Sequence, residues 1–128
     1  MAQYGVIDKW VRSEVITEAD TGTTKAVIDV PAKTLVVEVV CVVTEAFAGG
    51  TPLLDVGDGT DTDGWVDQGD ITATTIGSYR GDETTTAAFS GSGKYYATAD
   101  TIDVVVSASL TNGTAYVLAR MIDLDGLV

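Results

Sequence analysis

The chain has no histidine among its 128 residues. That removes the commonest general base, the Ser-His-Asp and Cys-His arrangements, and most zinc sites. It has one cysteine, Cys41, so no disulfide can form within one copy. Oxidative maturation leaves no trace, which suits synthesis in a cytoplasm. Cys41 lies in an apolar stretch, residues 35–43, broken by Glu38, and reads as a small buried hydrophobe rather than a reactive thiol. No P-loop, dinucleotide fingerprint or nucleophile elbow occurs. No stretch shows a capped apolar period of 3.6, so helix is expected to be scarce. The longest apolar run is too short and too interrupted to span a bilayer. The opening Met-Ala-Gln-Tyr-Gly-Val lacks a cationic region followed by an apolar one, so no secretory signal is expected.

Basic residues are also few. Seven stand against nineteen acids, a formal charge of −12. Such a chain is repelled by a phosphate backbone and by anionic lipid, so neither nucleic acid nor membrane is an expected partner. The charge favours solubility, and any specific assembly must overcome it through apolar or shape-matched contacts.

What is present is alternation. Ile102, Val104, Val106, Ala108 and Leu110 alternate with mostly polar residues, which predicts a strand with one dry face. Asn112-Gly113 follows, then a second β-rich run over residues 115–124. Asn-Gly suits a tight turn because both central residues need φ > 0, so the two runs are expected to pair as a hairpin. Residues 34–45 form the strongest strand, with Leu35, Val37, Val39, Cys41 and Val43 on one side. The opposite side is partly apolar too, which predicts a central strand or one covered by another subunit. Together with Ile102, Val104, Val106 and Ala108, the first side is expected to line one core.

Residues 13–18 and 25–30 read as two further strands around Ala19-Asp20-Thr21-Gly22, with Ala26, Ile28 and Val30 facing inward. Pro31 lacks an N–H and stops the second. Leu54 and Val56 mark a short strand over residues 53–57, and residues 85–89 and 94–98 carry the remaining strand signals. Residues 57–83 are irregular, a length of chain that is often functional. About eight strands so spaced indicate an all-β sandwich or barrel. Residues 1–12 fit neither period and read as an edge strand or an arm; residues 13–128 form a single antiparallel domain.

One constellation bears on chemistry. Residues 55–70 hold six carboxylates and several glycines. Asp61, Asp63 and Gly64, with Asp67 and Asp70 beyond, echo part of an EF-hand loop. The first ligand position falls on Gly59, with Asp58 one residue away, and the twelfth is Asp rather than Glu. An irregular loop of Asp58, Asp61, Asp63, Asp67 and Asp70 still offers oxygens to Ca²⁺, while the plainer reading is a tight acidic turn needing no cofactor. Trp65, Tyr79, Tyr95 and Tyr96 suit either sugar stacking or ordinary core and interface packing. Tyr4 and Trp10 read as anchors for a neighbouring subunit or a capsid surface.

The phrases Val30-Pro31-Ala32-Lys33-Thr34-Leu35, the Val-rich run, and Gly49-Gly50-Thr51-Pro52 through Asp61-Thr62-Asp63-Gly64-Trp65 carry a resemblance. So does Ala99-Asp100-Thr101-Ile102-Asp103-Val104 before Asn112-Gly113. Over roughly residues 30–124 the chain resembles small virion structural proteins of tailed bacteriophages. The resemblance implies a jelly-roll-like β-sandwich and a non-enzymatic role. It implies a homotrimer decorating or cementing the shell, bound to the major capsid protein on the outer capsid surface and made in the host cytoplasm. It carries over no ligand or catalytic residue. The alternatives are a neck, tail or fibre component, or a Ca²⁺-dependent carbohydrate-binding module.

Overall fold

The structure, a computed structural model, describes residues 2–82 and 86–127, with side chains through Asp125. Nine strands form among the described residues: β1 (Val6–Arg12), β2 (Ile16–Thr17), β3 (Thr24–Val30), β4 (Thr34–Ala48), β5 (Leu54–Gly57), β6 (Gly77–Arg80), β7 (Lys94–Tyr96), β8 (Asp100–Val106) and β9 (Asn112–Leu127). They make two antiparallel sheets. The six-stranded sheet runs β1-β9-β4-β6, with β2 adding to β9 and β7 to β4; the three-stranded sheet runs β3-β8-β5. The chain changes sheet between β2 and β3, β3 and β4, β4 and β5, β5 and β6, β7 and β8, and β8 and β9. That crossing from sheet to sheet gives a jelly-roll-like β-sandwich.

The core lies between the sheets. Ile16, Val36, Cys41, Val43, Val56, Trp65, Ile102, Val104, Ala115, Val117 and Ala119 have no exposed surface. Each fully buried Val, Ile or Leu contributes about 1.5–3 kcal/mol. Burial pushes the Cys41 thiol up to about 12, so it stays protonated and inert.

The expected hairpin does not form. β8 pairs with β3 and β5, while β9 pairs with β4, β1 and β2 in the other sheet. Asn112 and Gly113 already belong to β9. Gly113 has φ +133, and a Cβ there would overlap the Phe47 ring. The glycine answers a packing demand, not a turn. Residues 13–18 and 25–30 are likewise split: β2 pairs with β9 and β3 with β8.

Bulges move the faces. The β4 register shifts between Val36 and Glu38, so Thr34 and Val36 point inward, and Val39, Cys41 and Val43 continue the core side. Leu35 and Val37, expected inside, are only half-buried. A shift between Ala26 and Ile28 puts Val27 in the core and leaves Ala26 exposed. Ala108 lies beyond the end of β8 and is exposed. Residues 86–89, expected as strand, form turns, and Thr85 lies outside the described residues. β3 ends at Val30, immediately before Pro31.

Candidate functional site

The acidic segment begins on β5. Leu54 and Val56 point into the core, which leaves Asp55 facing the other way. The chain then folds back: Val56 pairs with Val66, their backbones bonded at 2.9 and 3.0 Å. This return seats Trp65 in the core and brings residues 67–70 beside β5.

Asp58 has no solvent exposure, and both its oxygens are bonded. Oδ1 accepts from the Thr60 N–H (3.0 Å), the Thr60 hydroxyl (2.7 Å) and the Asp61 N–H (3.0 Å). Oδ2 accepts from Lys94 Nζ (2.6 Å) and from the Tyr96 hydroxyl (2.8 Å). Burial alone raises this carboxyl's pKa; Lys94, Thr60 and Tyr96 outweigh it and hold the value at about 2. The Tyr96 hydroxyl also accepts from Trp65 Nε1 at 3.2 Å. Burial pushes the Tyr96 phenol up, as does the adjacent Asp58, against the Trp65 hydrogen bond. Lys94 Nζ lies 4.4 Å above the Phe89 ring, and Phe89 meets Trp65 edge-on at 5.4 Å. Asp58 is therefore a structural keystone tying β7 to the loop. A carboxylate whose oxygens already accept five hydrogen bonds has little capacity left for a cation.

The remaining carboxylates behave differently. One oxygen each from Asp55, Asp63 and Asp67 lie within 4.8 Å of one another. Burial raises the Asp55 carboxyl, the Gln68 N–H opposes this, and the charges of Asp67 and Asp63 raise it further. The Thr86 hydroxyl sits 2.8 Å from Asp63 Oδ2 and 2.9 Å from Asp67 Oδ1, and its single proton serves one at a time. Asp61 shares a hydrogen bond with Asp63 that raises the first and lowers the second. Asp70 Oδ2 accepts from the backbones of Asp67 (3.2 Å) and Asp82 (3.3 Å).

Of the five carboxylates expected to share a cation, the fold brings together Asp63 and Asp67. The third member, Asp55, was not among them; what places it there is the Val56–Val66 bridge, a contact no local spacing encodes. Three oxygens at this separation suit part of a hard-cation shell, which needs six to eight, or a proton shared among carboxylates. The sugar-stacking reading loses Trp65 and Tyr96, both buried, while Tyr95 remains 49% exposed. The two expected anchors are at the surface: Tyr4 precedes β1 at 72% exposure, and Trp10 lies on β1 at 50%.

No protein-family model matches the chain, and no curated protein sequence does. In fold it is similar to a chain in the capsid asymmetric unit of cyanophage Pam1: TM-score 0.68, 12% identity, 95% of this chain and 89% of that one. It is also similar to a chain in the acid-stable capsid structure of Helicobacter pylori bacteriophage KHP30: TM-score 0.61, 14% identity, 95% of this chain and 97% of the other. At such identities the likeness is one of fold, and it extends over nearly the whole sandwich.

Proposed function

We propose that the protein is a non-enzymatic structural component of a bacteriophage virion, decorating the outer surface of the capsid as a homo-oligomer, with three copies per unit. The observation that carries this reading is the fold likeness to chains from two phage capsid structures over 95% of the sequence. The charge of −12 supports it, because a DNA-facing position inside the shell would be repelled. The buried Asp58–Lys94 network also supports it: the segment richest in carboxylates is built into the fold, not held open around a substrate. The mechanism is mechanical. Contacts between copies and contacts with the major capsid protein bridge neighbouring shell subunits, and several weak contacts combine through effective concentration.

The test is to add purified protein to shells assembled from the major capsid protein and locate it by density. Ordered density on the outer surface, bridging subunits, is the expected result. Bare shells, with density for the protein in the neck, tail or fibre of intact virions, would move the protein within the virion. A second reading, a Ca²⁺-dependent carbohydrate-binding module, draws on the convergence of Asp55, Asp63 and Asp67. Decoration is expected to be indifferent to EDTA. Glycan binding lost on chelation and restored by Ca²⁺ would replace decoration with this second reading.

A further inference from the structure

The side of the six-stranded sheet that faces away from the core has an unusual composition. Along β9, Ala115, Val117, Ala119 and Met121 point inward, so Tyr116, Leu118, Arg120 and Ile122 point outward. Register extends this face across the sheet. Leu118 stands between Arg12 and Val40, and Ile122 between Asp8 and Leu35, with Tyr95 beyond Leu35. Trp10 stands beside Arg120, and Glu38 on its other side.

A line of alternating charge crosses four strands here. Arg120 donates to both oxygens of Asp8, at 3.1 and 2.8 Å. Glu38 is its register partner on β4 and in turn accepts from Arg80 Nε at 3.1 Å. Arg12 lies 4.9 Å above the Tyr116 ring. The chain has three arginines, and all three are on this face. Asp8, Glu38 and, at the rim opposite Thr114, Glu45 balance them. The net charge of −12 therefore resides elsewhere on the molecule.

Apolar side chains, aromatic rings and arginine without lysine are the composition of an interface centre, not of a solvated surface. Charge decides the occupant. A positively charged partner would gain most on the acidic surface and least here. A partner of the same strong negative charge loses least here, and a second copy of this chain is such a partner. We propose that the outer face of the six-stranded sheet is where one copy packs against another, with Trp10 and Leu118 in the contact. This rests on the self-association part of the reading above and needs no shell.

The test is sedimentation velocity on the full chain over a concentration series. Three variants are compared with the wild type: Leu118→Glu and Trp10→Glu on the face, and Leu53→Glu in the loop that leads into β5 of the other sheet, with circular dichroism to verify the fold. Leu53 is 37% exposed, so it controls for loss of a surface apolar group. The expected result is a wild-type oligomer, weakened about tenfold or more by either face variant and unchanged by Leu53→Glu. Raising NaCl from about 0.05 to about 0.5 M should preserve or tighten the oligomer, because screening reduces repulsion between like-charged copies. Trp10 is half exposed, so Trp10→Glu decides the matter if Leu118→Glu fails to fold. Folded face variants that keep the wild-type size overturn the assignment and leave self-association standing. Dissociation by salt overturns it as well, because it shows charge attraction holding the copies. A wild type that is monomeric throughout overturns both.

Discussion

Lys94 Nζ lies 2.6 Å from an oxygen of Asp58, a carboxylate with no solvent exposure that is 36 residues away in the chain. Lys94 leaves β7 on the core side of the sheet, where it pairs in register with Val36. Removing one partner of a buried pair leaves the other's desolvation uncompensated. Lys94→Met is therefore expected to destabilise the domain by about 3 kcal/mol in urea unfolding. Adding Asp58→Asn should restore part of the loss, with a coupling of about 1 kcal/mol or more. Additive losses would mean that the two groups do not depend on each other.

The same pair sets a pH dependence. The folded pKa of Asp58 is depressed to about 2, so its contribution is fully present above the unfolded value and is lost as pH falls through about 2. The shift from 3.8 corresponds to about 2 kcal/mol. Melting temperatures between about pH 5 and about pH 2 should fall more steeply for the wild type than for Lys94→Met, where the depression is reduced. Parallel curves would remove the ion pair as the cause.

Asp55 carries the opposite sign. Its pKa is raised by burial and by Asp67 and Asp63, so its effect on stability is favourable at low pH and lost as pH rises through the folded value. Asp55→Asn keeps an acceptor for the Gln68 N–H, bonded at 2.6 Å, while removing the repelling charge. The variant should melt higher than the wild type near pH 7, and the difference should vanish below the ordinary carboxylate range. A lower melting point near pH 7 would mean that the carboxylate's charge is needed there.

The irregular segment shows how much of the site was legible. Asp61, Asp63 and Asp67 could be singled out because they cluster in sequence. The partners of Asp58 could not, because Lys94 and Tyr96 arrive from another strand through the fold. Asn112-Gly113 has the composition of a tight turn, but it lies within β9. Glycine is required there because Phe47 occupies the space of a Cβ and φ is +133. Gly113→Ala should cost about 2 kcal/mol or more in denaturant unfolding, from overpacking and backbone strain together. Trimming the ring with Phe47→Leu should reduce the penalty of the glycine substitution. An ordinary exposed turn would show no such coupling.

The faces of β4 provide the last test, because the alternation along the strand changes phase at a bulge. A strand's period of two carries no marker for a bulge, so Leu35 and Val39 looked equivalent. The register shift between Val36 and Glu38 separates them. Val39 is 4% exposed and touches the core cluster, whereas Leu35 pairs with Ile122 and Tyr95 on the outer face. Val39→Asp buries a charge without a partner and should unfold the domain. Leu35→Asp places its charge among half-exposed neighbours and should leave the near- and far-ultraviolet circular dichroism of the folded protein intact. If the copies meet through the outer face, Leu35→Asp should also weaken their association. Unfolding of both variants would restore the uninterrupted alternation that puts Leu35 and Val39 on one face.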